Sequence, residues 1–374
     1  MVKRTLSELI KSKLDFKKIV LLIGARQVGK SSLIKEILKE KKVDYLFING
    51  DDPFQRSIFS NPTFEFIKEY IKEYEYLFFD EAQRFENIGI TLKLIIDNIP
   101  NKQVIVSGSS SLELTDKINE PLTGRKWEYN LFPFSWNEIK NEIGFANSLK
   151  NLEKYLVYGM YPEVVINMEN NPKEILIQLS GSYLYKDILE LINIKKPELL
   201  LKILQALAFQ VGSEVSYNEL ANLCNADRNT IINYIHLLEK SFVIYRLEPF
   251  SKNKRKEIST SRKIYFYDNG IRNALINNFK TIQLRDDIGK LWENFIITER
   301  FKKHKNENEL YNLYFWRSKQ DAEIDLIEEK DGEISAFEIK WNDKKKVHFS
   351  KTFTNEYHPK STEVINKENF YNYL

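Results

Sequence analysis

Residues 19–32 read Ile-Val-Leu-Leu-Ile-Gly-Ala-Arg-Gln-Val-Gly-Lys-Ser-Ser, an apolar run, a loop of the form Gly-x-x-x-x-Gly-Lys-Ser, and the start of a helix pattern. Gly24 and Gly29 allow the backbone to curl until its N–H groups face an anion. Lys30 can reach the outer phosphates of a nucleotide, and the Ser31 hydroxyl can hold Mg²⁺. The helix opening near Lys30 aims its positive end at the same phosphates. Gly24, Ala25, Arg26, Gln27, Val28, Gly29, Lys30, Ser31 and Ser32 are therefore the candidate nucleotide-binding segment, with ATP and Mg²⁺ as ligands.

Further groups fit the same chemistry. Tyr76-Leu77-Phe78-Phe79-Asp80-Glu81 reads as a buried parallel strand ending in two carboxylates, at the tip where open α/β sheets bind ligands. Asp80 is expected to hold the Mg²⁺ shell, and Glu81 to orient and deprotonate the attacking water. Gln103–Gly108 is the next strand and its tip is polar; in ATPases with an extra strand between the phosphate-loop strand and the acidic strand this tip senses the γ-phosphate or the water, so Ser107 is the candidate, with Ser109 second, unless the serines serve only turn chemistry. Arg125 follows Gly124 on a loop. It can swing to the γ-phosphate within its own subunit, act from a neighbour, or make a structural salt bridge, and the sequence leaves these open.

Gly-Ala-Arg-Gln-Val-Gly-Lys-Ser-Ser, Phe-Phe-Asp-Glu-Ala-Gln, Ser-Gly-Ser-Ser-Ser, Leu-Thr-Gly-Arg and Leu-Phe-Pro-Phe-Ser-Trp occur in that order. Together they resemble the AAA-type ATPases of bacteria and archaea that carry a C-terminal domain of unknown function related to PD-(D/E)xK nucleases. The resemblance covers nearly the whole chain. It implies binding and hydrolysis of ATP, and no particular biological role.

Toward the C-terminus, Ala322–Ile327 alternates as a half-buried strand, Asp331-Gly332 marks a tight hairpin, and Ile334–Trp341 returns carrying Glu338-Ile339-Lys340. Side chains alternate along a strand, so Glu338 and Lys340 share a face, with Asp325 on the partner strand. Two carboxylates for a hard metal and a lysine beside a scissile phosphate are what a Mg²⁺ nuclease needs. Asp325, Glu338 and Lys340, with Glu293 on the preceding helix, look like the PD-(D/E)xK set, Asp325 and Glu338 being the metal ligands. E-x-K alone is frequent on exposed strands, and relatives of this fold can lose activity.

The elements that must position these groups follow from periodicity. Leu6, Leu9, Ile10 and Leu14 predict a short leading helix, Tyr45–Asn49 a second strand, and residues 88–98 an amphipathic helix. Residues 137–197 read as helices broken at Tyr158–Glu163, with Lys186 and Asp187 on an exposed face. Ser216 and Glu219 form a predicted capping box, and helix, tight turn, helix, strand over 216–247 is the order of a winged helix-turn-helix. Its second helix would present Arg228, Asn229, Asn233 and His236 to a major groove, unless the module serves protein contacts only. The basic run Lys252–Lys256, with Arg262 and Lys263, favours phosphate contact, and Lys344–Lys346 can add to it.

The expected fold is α/β. A P-loop NTPase domain with an AAA/RecA-like parallel sheet (1–136) precedes a helical connector (137–197), a winged helix (198–258) and an α/β restriction-endonuclease-like domain (259–374). Across 374 residues, 29% are charged, yet net charge is only +3, so contact with DNA must rest on local patches. One cysteine, Cys224, and four histidines exclude a disulfide framework or a Cys/His zinc site and fit a cytoplasmic setting. No window of 18 apolar residues exists, so no membrane partner is expected. The leading expectation is an ATP-dependent switch on nucleic acid with a Mg²⁺ nuclease site. The alternative is a signalling or scaffold ATPase whose later domains bind proteins. A helicase-like motor would need a second RecA-like domain or a homo-oligomeric ring.

Overall fold

The computed structural model describes residues 2–14, 18–109, 121–183, 197–251, 262–318, 322–342 and 347–374. Lys186, Asp187, the run Lys252–Lys256 and Lys344–Lys346 lie outside them, as do Ser110 and Ser111. The chain forms two compact units, residues 1–132 with 240–242, and residues 133–239 with 243–374.

The first unit contains α1 (Leu6–Lys11), β1 (Ile19–Ile23), α2 (Lys30–Lys41), β2 (Tyr45–Asn49), α3 (Pro53–Ser60), α4 (Phe64–Tyr70), β3 (Tyr76–Asp80), α5 (Ile88–Asn98), β4 (Gln103–Gly108) and β5 (Lys126–Asn130). The five strands are parallel in the order β2-β3-β4-β1-β5. β4 lies between the phosphate-loop strand and the acidic strand, as expected. β1, β3 and β4 are buried along their full length, so both faces of the central sheet are covered. α2 buries Leu33, Ile34, Ile37 and Leu38, one helical stripe. The register pairs Phe79 with Val106, so the polar tips at Asp80 and Ser107 come together at the C-terminal edge.

The second unit begins with short helices, α6 (Trp136–Ile143), α7 (Phe145–Lys150), α8 (Leu152–Tyr158), α9 (Pro162–Ile166) and α10 (Pro172–Gln178). The predicted break between α8 and α9 is held by a close approach. Gly159 has φ +72, and a Cβ there would fall 2.0 Å from Asp268 Oδ1. Asp268 accepts from the N–H groups of Met160 (2.7 Å) and Ile271 (3.1 Å), so one carboxylate closes the turn and caps a later helix.

Then come α11 (Pro197–Phe209), β6 (Glu214–Val215), α12 (Tyr217–Cys224), α13 (Arg228–Lys240), β7 (Ile244–Pro249), β8 (Arg262–Phe266) and α14 (Asn269–Leu275). Ser216 caps α12 by accepting from Glu219 N–H, which is one half of the expected box. The last group is α15 (Ile288–Asn306), β9 (Asn312–Arg317), β10 (Glu323–Lys330), β11 (Glu333–Ile339), α16 (Lys351–Tyr357) and β12 (Ser361–Ile365). The seven strands among the described residues of this unit form one sheet, β12-β11-β10-β9-β7-β8-β6. β8 pairs antiparallel with β6 and β7, and β7 pairs parallel with β9, so the sheet runs unbroken from the helix-pair region into the C-terminal strands. Trp316, Ile324, Ile327, Ala336 and Phe353 form a buried core on one face.

Candidate functional site

At the end of β1, Gly24 N–H donates to Gly108 O at 3.3 Å, and a Cβ at residue 24 would lie 2.1 Å from the Leu131 carbonyl oxygen. Only glycine fits that approach. Gln27 and Gly29 take φ of +56 and +94, which folds the loop back onto the start of α2. Lys30 is buried and arches over the loop, its Nζ donating to the carbonyls of Gly24 (3.0 Å) and Ala25 (2.8 Å). Val28 is buried, whereas Gln27 and Ser32 are exposed and Arg26 is partly so.

Asp80 sits at the centre. Its Oδ2 accepts from Ser31 Oγ at 2.7 Å, and its Oδ1 accepts from Ser107 Oγ. Hydrogen bonds to a charged group contribute roughly 1.5–3 kcal/mol each, enough to hold the carboxylate in one rotamer. Glu81 follows in the left-handed region at φ +49, and its Oε2 accepts from Gln83 Nε2 at 2.6 Å. The same Gln83 nitrogen donates to Ser109 Oγ at 2.9 Å. Ser107 and Ser109 thus have different partners, Asp80 and Gln83. Gln83 had no role in the sequence reading. Its signal was a two-donor amide two residues beyond the carboxylate pair. Arg125 lies at Asp97, with 2.7 Å from Nε to Oδ1, the structural ion pair among its alternatives.

In the second unit, Lys340 Nζ lies 2.7 Å from both Asp325 Oδ2 and Glu338 Oε2. Asp325 Oδ2 also accepts from Ile339 N–H at 2.7 Å. A bulge aims Asp325. β10 registers Ile324 with Trp316 but Ile327 with Tyr314, so one extra residue lies on β10 between them. Strict alternation fails there, and Ile324 through Glu328 are all buried. Glu293 joins the cluster from α15 through two partners that the motif did not foretell, Lys263 Nζ at 3.3 Å and the Tyr265 hydroxyl at 2.7 Å. Lys263 also pairs with Glu323. The expectation that Lys263 contributes to a phosphate-binding surface is corrected: it is 3% exposed, because alternation along β8 turns it toward α15 and β10. Arg262 pairs with Glu248 at 2.8 Å. Arg228, Asn229, Asn233 and His236 are exposed on α13.

An uncharacterised protein of Methanocaldococcus jannaschii, MJ1544, is 30% identical over 341 residues, covering 85% of this chain and 74% of the relative. The chain belongs to the family of that archaeal protein. The uncharacterised protein Rv2008c of Mycobacterium tuberculosis is 26% identical over 328 residues, covering 86% of this chain and 70% of its own length. Residues 16–140 match the AAA domain, 149–281 a domain of unknown function (DUF8612), and 288–372 another (DUF4143). Among solved structures, the Walker-type ATPase paby2304 of Pyrococcus abyssi superposes with a TM-score of 0.52 at 20% identity, covering 74% of this chain and 96% of that one. The first unit is thus an AAA-type P-loop ATPase domain, a nucleotide-binding fold. Among the described residues no helix is long and apolar enough to cross a membrane.

The charges of the second-unit cluster shift one another. Burial, then the neighbouring Asp325, push the Glu338 carboxyl up to about 7 against the opposing pull of Lys340. Burial works against the charge on Lys340, but Asp325 and Glu338 outweigh it and raise the ammonium above its usual range. A carboxyl raised on folding binds its proton more firmly in the native state. Its contribution to stability is therefore present at low pH and lost as pH rises from the unfolded value, about 4.5, through about 7. Four of the five tryptophans, Trp136, Trp292, Trp316 and Trp341, lie in this unit and report on it. Urea midpoints followed by tryptophan fluorescence are expected to fall less steeply across this window in Glu338→Gln than in the native chain. Equal slopes in the two proteins would show that Glu338 holds no such proton.

Proposed function

We propose that the chain is an ATP-hydrolysing switch that acts on nucleic acid. The observation that carries the ATPase half is the Asp80 carboxylate, shared by the hydroxyls of Ser31 and Ser107, with Glu81 next along the strand. Ser31 and Asp80 present oxygen donors of the kind Mg²⁺ takes, already 2.7 Å apart, so the residues fit a magnesium nucleotide as substrate. When bound, the ion neutralises charge on the phosphates. The loop amides from Gly24 to Ser32 cradle the phosphates, and Lys30 leaves the carbonyls of Gly24 and Ala25 to meet the outer ones. Glu81 orients the water and takes its proton, and Ser107 reports on the γ-phosphate through Asp80.

The nucleic-acid half rests on the second unit. The order α11, β6, α12, α13, β7 supports a winged helix over 198–258, and β8, from the domain that follows, lies between β6 and β7 in the sheet. The exposed face of α13 with Arg228, Asn229, Asn233 and His236 is its reading surface. α15, three antiparallel strands, α16 and a parallel strand support a PD-(D/E)xK nuclease-like domain. Asp325 and Glu338 flank the registered pair Leu326–Phe337, Lys340 lies between them, and Glu293 projects from α15.

Glu81→Gln is expected to keep ATP affinity and lose turnover by about two orders of magnitude or more, as for loss of a general base. Lys30→Ala is expected to weaken both binding and turnover. Normal phosphate release by Glu81→Gln would remove Glu81 from the mechanism. For the second half, duplex DNA affinity measured at two salt concentrations is expected to drop as salt rises, and Arg228→Ala to flatten that dependence by about one counterion. Affinity that ignores salt, or no binding at all, would favour the protein scaffold.

A further inference from the structure

A nuclease-like centre implies a divalent metal held by its carboxylates, and in this chain the donor set does not fit one. Glu293 Oε1 is occupied by the Lys263 ammonium at 3.3 Å and the Tyr265 hydroxyl at 2.7 Å. Gly212 lies beside that same oxygen, which an added Cβ would meet at 3.1 Å. Glu323 is committed to Lys263 as well. Asp325 spends Oδ2 on Lys340 Nζ and on Ile339 N–H. With these carboxylates drawn onto Lys263 and Lys340, no three Asp, Glu, His or Cys side chains among the described residues stand where one ion could be shared.

The two lysines differ. Lys340 is the lysine of the E-x-K pattern, and its side chain is 25% exposed. Lys263 comes from β8, outside the pattern, and is buried against two carboxylates, Glu293 at 3.3 Å and Glu323, with Asp325 near enough to act on its charge. Burial works against its charge, yet Glu293, Glu323 and Asp325 outweigh that and hold it above the ordinary lysine range. An incoming divalent ion would have to displace this ammonium and leave it buried without its counter-charges, a strongly unfavourable exchange.

We propose that Lys263 is a resident cation that takes the charge-neutralising place of a divalent metal among Glu293, Glu323 and Asp325, so that the C-terminal centre is metal-free and cleaves no phosphodiester. This rests on the nuclease-like reading of residues 259–374. The C-terminal domain then serves as a binding module, with its carboxylates tied into an ion-pair network that holds α15, β8, β10 and β11 together.

The test is a Mn²⁺ titration of the full chain without nucleotide, followed by electron paramagnetic resonance. An Asp80→Asn background keeps the phosphate loop out of the count. With Lys263 intact, Mn²⁺ uptake is expected to be the same with and without Asp325→Asn. Lys263→Met is expected to gain one Mn²⁺ per chain, which Asp325→Asn removes again. The proposal is overturned if the chain with Lys263 intact binds Mn²⁺ in a way that Asp325→Asn abolishes. It is equally overturned if folded Lys263→Met gains no ion. Should Lys263→Met fail to fold, the comparison with Lys263 intact still decides. Absence of DNA binding would fell the switch on nucleic acid and leave the outcome of this titration standing.

Discussion

One carboxylate organises the first unit. Asp80 accepts the hydroxyls of Ser31, on the helix after the phosphate loop, and Ser107, on the neighbouring strand. Three segments far apart in sequence are thereby fixed to one point at the C-terminal edge of the sheet. The apolar strands make this affordable. β1, β3 and β4 are buried throughout, and a one-residue slip would part Asp80 from the Ser31 and Ser107 hydroxyls that satisfy it. Gly24 and Gly50 serve the same end. A Cβ at residue 24 would meet the Leu131 carbonyl oxygen at 2.1 Å, and one at residue 50 would meet the Glu81 carbonyl oxygen at 2.3 Å. Close backbone packing therefore holds the loop and the acidic tip in place before any nucleotide arrives.

The second unit is held by a different device. Its centre pairs carboxylates with ammoniums drawn from four elements, Lys263 on β8, Glu293 on α15, Glu323 and Asp325 on β10, and Glu338 on β11 with Lys340 just beyond it. Arg300 and Glu328 repeat the theme as a two-pronged pair between α15 and β10. Removing one member of such a buried pair leaves the other charged and desolvated, which typically costs about 3–5 kcal/mol. These contacts specify geometry more than they add net stability.

The two centres were legible to different depths. The phosphate loop is a contiguous motif whose spacing encodes its own shape, so Gly24 to Ser32 could be read directly. Asp80 and Ser107 could be read because each ends a run of buried β residues, and parallel strands bring such ends together. Glu338 and Lys340 follow from strand alternation and Asp325 from its place on the partner strand, while the bulge in β10 sets where Asp325 points. Gln83, Lys263 and Glu323 did not, since their partners depend on sheet order and on the bulge in β10. Lys263 is the instructive case. Beside Arg262 it looked like part of a basic surface, and only the pairing of β8 shows that it points inward. The Ser216 cap was half legible, because Glu219 takes the backbone bond without returning one.

The claim most exposed to refutation is that Ser31, Asp80 and Ser107 form a seat for a magnesium nucleotide. Titrating the full chain with a fluorescent ATP analogue, with Mg²⁺ and with excess chelator, measures it directly. Mg²⁺ is expected to tighten binding by about tenfold or more, about 1.4 kcal/mol, and Asp80→Asn to lose this increment. Affinity that is indifferent to Mg²⁺ in the native chain, or an increment that survives Asp80→Asn, would contradict it.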